Sequence, residues 1–373
     1  MPNKTVAIFF GGQSTEHEIS CLTASEVVKE LDTSRYDVIC VGICPDGVWY
    51  RMPVEEVAAL RVVDGRLPRL TGGGNVAVAI RDERGVEIAD KNGDELTNRV
   101  RVDCAFSLLH GSYGEDGTLQ GMLEMLGVAY VGSGVASSAI GMDKHFMKLA
   151  MRAAGVPIGP YELVHPDSWL VNSDEVLARI SKNLAFPVFV KPARGGSSVG
   201  ISRVDSAEGL VSAIEEARKF DPKVLVEQGF MGAREVECAV LGEKHPGDGP
   251  RASCLGEIVV NEGAEFYDYQ AKYLPTEGQV DLNIPADLDE ETTQRVRELA
   301  RMSFSALDCE GLARVDTFVT ADGEVYVNEV NTMPGFTKLS MFPSLWNESG
   351  LPYRELLTDL IEQALARPVN VNR

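Results

Sequence analysis

Apolar positions along the chain fall into short unbroken runs separated by stretches of helical period. Thr5 to Phe10 (TVAIFF), Asp37 to Ile43 (DVICVGI) and Val102 to Leu109 (VDCAFSLL) read as strands, with helical patterns between and after them. Strands that alternate with helices favour a parallel sheet covered on both faces. From Asp46 to Arg101 the pattern weakens, and TGGGN and KNGDE are turn signals, so this stretch reads as a hairpin-like insertion without chemistry. One helix is expected from about Val135 through Ala154, stopped by the Gly and Pro of AAGVP. Strands are then expected at Pro187 to Lys191, Val199 to Val204 and Lys223 to Glu227, with a helix over Glu208 to Phe220. After Gly232 come a largely β segment, a long loop from Asn261 to Leu282, a helix near Asp289 to Leu307, a hairpin from Leu312 to Asn331 and closing helices.

With 373 residues the chain exceeds the roughly 250–300 residues at which single cores stop growing. Three lobes are expected, 1–132, 133–232 and 233–373. Hydrophobic residues at 44% and charged ones at 24% give a globular profile, and no tract approaches the roughly 18 apolar residues of a spanning helix. The start, MPNKTVAIFFGGQ, turns from a short apolar run into glycines, which reads as a first strand rather than a signal peptide, so a cytoplasmic location is expected. Cys21, Cys40, Cys44, Cys104, Cys238, Cys254 and Cys309 are odd in number, lack a C-x-x-C pair and have mostly apolar neighbours, so they read as reduced core thiols. The five histidines show no zinc spacing. A formal charge of −21 opposes long-range attraction to nucleic acid or an anionic membrane. Anionic small molecules would need local lysines and arginines in glycine-rich loops.

FPVFVKPARGGSSVG, Phe186 to Gly200, has that character: a strand, a lysine and a loop of small polar residues. A Walker loop instead places Lys-Ser/Thr after its glycines, so a different nucleotide-binding design is indicated. In LARVDTFVTADGEVYVNEVN, Asp322-Gly323 is a two-residue turn signal that places Ala321 opposite Glu324, Asp316 opposite Glu329 and Arg314 opposite Asn331. Alternation puts those last four side chains on one face. Two carboxylates about 5 Å apart across a ladder repel unless a cation lies between them. Magnesium, held by Asp316, Glu329 and the amide oxygen of Asn331, would supply it. The competing reading is a solvated hairpin whose acids pair with lysines; the apolar neighbours Val315, Phe318, Val325, Val327 and Val330 argue for burial.

These motifs, with FFGGQSTEHEIS, LLHGSYGEDGTLQG, GMDKHFMK, FYDYQAKYL and NEVNTMPGFT in order from Phe9 to Thr337, closely resemble the D-alanine-D-alanine ligases of the ATP-grasp superfamily. The resemblance implies an α/β and α+β chain in which a Rossmann-like N-terminal lobe precedes two ATP-grasp lobes that hold ATP between them. It implies synthesis of D-alanyl-D-alanine from two D-alanines and ATP through an acyl phosphate, with magnesium or manganese, two ions in all, on Asp316, Glu329 and Asn331. Lys191 and the loop from Arg194 to Val199, with Ser197 and Ser198, would form a hinged flap over ATP. Lys144 and Lys272 would add positive charge at the phosphates. Glu227 would accept from the adenine amine and Glu235 would hold the ribose, with Glu237 as the competitor.

On the substrate side, the resemblance places Glu16 against the ammonium of the first D-alanine, with His110 beside it. Thr15 and Glu18 also form a capping-box pattern, so part of QSTEHEIS starts a helix. Arg314 would stabilise the tetrahedral oxyanion, Gly335 would give a backbone donor, and Ser340 would hold the second substrate's carboxylate. Tyr273 would link lid, flap and first lobe through Ser197 and Glu16, and a tyrosine there accompanies dipeptide rather than D-lactate ester synthesis. A homodimer is implied as common in the family. The alternatives are a ligase with D-lactate or D-serine as acceptor and a non-catalytic nucleotide-binding regulator.

Overall fold

The computed structural model describes residues 2–196, 199–245, 247–260 and 280–368. Its strands form three sheets. The first has eight strands in the order β6-β5-β4-β3-β2-β1-β7-β8. Its centre is β1 (Lys4–Gly11), parallel to β2 (Tyr36–Ile43) on one side and to β7 (Cys104–Ser107) on the other, with β8 (Ala129–Tyr130) beyond. These strands are almost wholly buried, as a parallel sheet covered by helices requires. The weakly patterned stretch extends the sheet edge with β3 (Trp49–Met52), β4 (Asn75–Asp82), β5 (Gly85–Asn92) and β6 (Glu95–Val102), all antiparallel to their neighbours. The expected strand from Val102 to Leu109 is therefore two strands, divided at Asp103, whose carboxylate accepts from the Thr5 amide and the Lys4 ammonium.

The second sheet, in the order β11-β10-β12-β9, comprises β9 (Tyr161–Val164), β10 (Val188–Pro192), β11 (Ser202–Val204) and β12 (Val224–Gln228). Helices α6 (Pro166–Asn183) and α7 (Leu210–Ala217) cover one face. The sequence reading passed over β9 and α6. The third sheet, in the order β15-β14-β13-β16-β17, comprises β13 (Arg234–Leu241), β14 (Arg251–Val260), β15 (Val280–Asn283), β16 (Leu312–Val319) and β17 (Val325–Asn331). Residues 261–279 of the expected long loop lie outside the described residues, and its end from Val280 is strand rather than loop. α8 (Glu290–Ala306) begins at Asp289, whose side chain accepts from the Thr292 amide as an N-cap. The last helices, α9 (Met341–Glu348) and α10 (Tyr353–Ala366), close the third sheet, and α10 also packs on β7 and β8, so one core runs from Phe106 to Leu360 across both sheets.

The expected helix from Val135 to Ala154 is two, α4 (Val135–Met142) and α5 (Lys144–Ala153). Asp143 leaves helical geometry at φ −93°, ψ 100°, which lets its carboxylate cap the His145 and Phe146 amides and pair with Lys223. The capping box at Thr15 and Glu18 is also absent. α1 (His17–Glu30) starts after Glu16 with no side-chain cap, and Glu18 instead pairs with Arg69 Nη1 at 2.7 Å.

The 312–331 hairpin departs from the expected register at its tip and regains it at its base. Thr320, not Ala321, meets Glu324: Gly323 N–H donates to Thr320 O at 3.0 Å and Thr320 N–H to Glu324 O at 2.9 Å, with Gly323 at φ +83°. That is a three-residue loop with a left-handed glycine. Pairing then runs Val319–Val325, Phe318–Tyr326 and Thr317–Val327, one residue out of step. A β-bulge at Asn328 takes up the difference, and Asp316 pairs with Glu329, Val315 with Val330 and Arg314 with Asn331.

Candidate active site

The three sheets meet around one open cleft of about 1210 Å³. Its walls come from the start of α1 and the loop after β7, from β10, β12 and the flap, and from β13, β16 and β17. The basal strands carry the densest charge. Glu237 on β13 pairs with Asp316 on β16, which pairs with Glu329 on β17, so three carboxylates stand in one row across three strands. The sequence reading found the last two. Arg314 bridges two members of the row: its Nε and Nη2 reach Asp316 at 2.7 Å each, and Nε lies 2.9 Å from Glu237 Oε2. Burial alone would ease the proton off, but Asp316 and Glu237 hold the guanidinium pKa well above its usual range. Lys144 Nζ stands 3.9 Å from Glu329 Oε2.

The donor set of Asp316, Glu329 and Asn331 suits a hard divalent cation, because carboxylate oxygens that accept from Arg314 still carry lone pairs. Asn331 turns its Nδ2 to Asp316 Oδ2 at 3.0 Å, so its oxygen is not the atom that meets that carboxylate. Among the described residues no group of three or more His, Cys, Asp or Glu side chains is arranged to hold a metal ion. The seven cysteines are free thiols, six of them buried and Cys254 half-buried.

Above the row, Lys144 at the start of α5 donates to Gly195 O at 2.6 Å and so touches the flap's root. Lys191, the last lysine of β10, lies 2.6 Å from Glu227 Oε2 on β12. Lys148, a turn beyond Lys144, lies 3.3 Å from Glu227 Oε1. Burial would raise the Glu227 pKa, but the two ammonium groups hold it below the usual carboxylate range. Glu235 is exposed at the cleft rim, whereas Glu237 is buried against Arg314. Arg194 turns away from the cleft and pairs with Asp221 at 2.8 Å. Ser197, Ser198, Lys272 and Tyr273 lie outside the described residues.

At the far end, Glu16 is 8% exposed, and its carboxylate is packed against glycine backbone from two directions. A Cβ at Gly111 would come within 2.8 Å of Glu16 Oε2, and one at Gly196 within 3.0 Å, so the first lobe and the flap converge on this group. His110 is buried, and its Nδ1 lies 3.1 Å from Met333 O. A carbonyl can only accept, so Nδ1 carries the proton and Nε2 presents a lone pair; among the described residues Nε2 has no hydrogen-bond partner. Burial lowers the His110 pKa, which keeps the ring neutral. Ser340 caps the turn before α9, accepting from Thr337 N–H at 3.1 Å, and its Oγ would be 3.1 Å from a Cβ on Gly335.

Glu115 escaped the sequence reading although it stands in the quoted HGSYGEDG. Its carboxylate accepts from Gly111 N–H at 2.7 Å and from Met333 N–H at 3.3 Å. With His110 on the carbonyl of the same Met333, it clamps the loop after β17 onto the first lobe. Burial, then the charge of Glu16, pushes its pKa up to about 8. Between pH 4.5 and about 8 the folded chain keeps a proton there that the unfolded chain has released. This group's contribution to stability is therefore full at low pH and lost as pH rises through about 8. Denaturant melts from pH 5 to 9 should show that decline, and Glu115→Gln should flatten it; an unchanged slope would refute the assignment.

Two family models match the chain: "D-ala D-ala ligase N-terminus" over residues 5–133 and "D-ala D-ala ligase C-terminus" over residues 150–362. A D-alanine--D-alanine ligase of Kocuria rhizophila is 48% identical over 376 residues, covering 98% of this chain and 95% of that one. One of Paenarthrobacter aurescens is 47% identical, covering 97% and 95%. Among solved structures, the D-alanine-D-alanine ligase of Coxiella burnetii superposes with a TM-score of 0.81 at 32% identity, covering 98% of this chain and 94% of that one. The VanG D-Ala:D-Ser ligase of Enterococcus faecalis has the same TM-score at 34% identity, covering 97% and 100%.

Proposed function

The chain belongs to the D-alanine-D-alanine ligase family, and from that premise we propose how its cleft joins two D-alanines at the expense of ATP for peptidoglycan synthesis. The observation that carries the reading is the in-register row of Glu237, Asp316 and Glu329 with Arg314 set among them, at the base of a cleft that a lysine-bearing flap overhangs.

A carboxylate is a poor electrophile, so the first D-alanine must be activated as an acyl phosphate before an amine can attack it. Phosphoryl transfer asks chiefly for alignment and neutralised charge. Lys144 and Lys191 meet the phosphates from below the flap, and Ser197, Ser198 and Lys272 complete that set. Magnesium or manganese held by Asp316, Glu329 and Asn331 would neutralise the phosphate oxygens. Glu227 reads the adenine amine, and exposed Glu235, rather than Glu237, takes the ribose.

Glu16 holds the ammonium of the first D-alanine. The His110 Nε2 lone pair, inside the same end of the cleft, accepts a hydrogen bond from a substrate amine. Ser340 and the positive end of α9 receive the second carboxylate. When the second amine attacks, negative charge develops on the acyl oxygen, and the Arg314 guanidinium with the Gly335 amide stabilises it. Tyr273, by the family resemblance, would help exclude water from the acyl phosphate. Among the described residues no helix is long and apolar enough to cross a membrane.

The test is product identification by mass spectrometry with ATP, magnesium and a panel of D-alanine, D-serine and D-lactate. D-alanyl-D-alanine is expected as the main product. A mixed product favoured over it would assign the acceptor site differently.

A further inference from the structure

Lys148 lies behind the cleft wall, 2% exposed, and nothing in the proposed reaction uses it. It lies one helical turn beyond Lys144 on α5 and points between the second and third sheets. Its Nζ stands 3.3 Å from Glu227 Oε1, donates to Asn328 O at 3.3 Å and lies 5.8 Å from the centre of the Tyr161 ring. All three neighbours are attractive to an ammonium. Asn328 is the bulged residue beside Glu329, so this one side chain joins the base-reading strand to the strand that carries the acidic row.

Two lysines share Glu227, but they differ in what else they can do. Lys191 roots the flap and is assigned to the phosphates. Its bond to Glu227 Oε2 at 2.6 Å must therefore loosen or be shared when nucleotide arrives. A buried carboxylate left without a cation takes up a proton and ceases to be a pure acceptor. Glu227 Oε1 is enclosed and accepts no well-directed hydrogen bond from the described residues, so it has capacity for an incoming N–H donor. Lys148 faces that oxygen.

We propose that Lys148 is a positioning residue for nucleobase recognition: by staying beside Glu227 Oε1 while Lys191 turns to the phosphates, it keeps that carboxylate ionised and aimed at the exocyclic amine of adenine. The inference rests on the assignment of Glu227 to the base. Burial presses the Lys148 ammonium toward its neutral form, and the Glu227 charge opposes that, so each group holds the other's charged state.

Steady-state kinetics of the full chain with ATP and with ITP, which carries a 6-oxo group in place of the amine, tests both steps separately. Lys148→Met, which keeps the buried stem, is expected to raise the KM for ATP about 10-fold or more and to cut the ATP-over-ITP preference by about 10-fold. The KM for D-alanine should stay within about threefold, which a general loss of packing would not allow. Glu227→Gln should lower the same preference, because its carbonyl will face Lys191 and its NH2 will face the base.

In the Glu227→Gln background, adding Lys148→Met should change the preference less than about twofold, since Lys148 acts through the carboxylate. That double variant also removes both buried charges together, so it serves if Lys148→Met alone does not fold. An unchanged preference in Lys148→Met, or a further large loss in the double variant, overturns the role of Lys148. An unchanged preference in Glu227→Gln overturns the assignment of Glu227 and the inference with it.

Discussion

Glu329→Gln is expected to lower kcat for ligation by about 10³-fold, roughly 4 kcal/mol of barrier, while the melting temperature stays within about 3 °C. The two effects separate because of where Glu329 stands. It is the outermost of three carboxylates in register, so replacing it with a neutral amide of the same shape relieves repulsion along the row. Lys144 Nζ stands 3.9 Å from Glu329, too distant for a strong bond. The folded state therefore loses little. Catalysis loses a negatively charged ligand for the ion that balances the phosphates, a role an amide oxygen fills poorly. Turnover within threefold of the parent enzyme would refute the metal assignment.

Arg314→Gln is expected to fail in both respects. Its guanidinium spans half-buried Asp316 and buried Glu237, and its removal takes the shared cation from both carboxylates, at a cost of about 3–5 kcal/mol. Losing the donor to the oxyanion should cost a further 10²- to 10³-fold in kcat, about 3–4 kcal/mol of barrier. Denaturant melts measure the first quantity and single-turnover kinetics the second. Arg314→Lys separates them, because a single ammonium restores charge but not the two-pronged geometry. Stability should largely return in that variant while kcat stays low; full recovery of both would count against a role for Arg314 at the reacting carbonyl.

Much of the acidic row was legible because period-two alternation fixes which residues share a face once a hairpin is recognised. The pairing of Asp316 with Glu329 and of Arg314 with Asn331 was counted from a two-residue turn, and it holds because the bulge at Asn328 offsets the three-residue loop. The tip was misread because Asp-Gly fits a two-residue turn, whereas Gly323 is used here as the left-handed third residue of a longer loop. Glu237 could not be joined to the row from sequence, since β13 lies between β14 and β16 only by long-range topology. Lys148 gave no signal at all: a lysine on an amphipathic helix reads as solvated, and only the meeting of two sheets over it makes it buried. Glu115 could have been found, because an acid five residues after His110 in a glycine-rich loop has few ways to avoid the same cleft. The break at Asp143 was also readable in principle, as an aspartate ahead of His-Phe is a sound N-cap.

The bulge at Asn328 takes up one residue between the tip and the base of the ribbon. With that residue absorbed there, Glu329 keeps its place opposite Asp316 although the exposed loop at the tip holds three residues rather than two. Mutational drift at Ala321 to Glu324 is thereby insulated from the chemistry, and a reporter peptide grafted there would ride on the enzyme without silencing it.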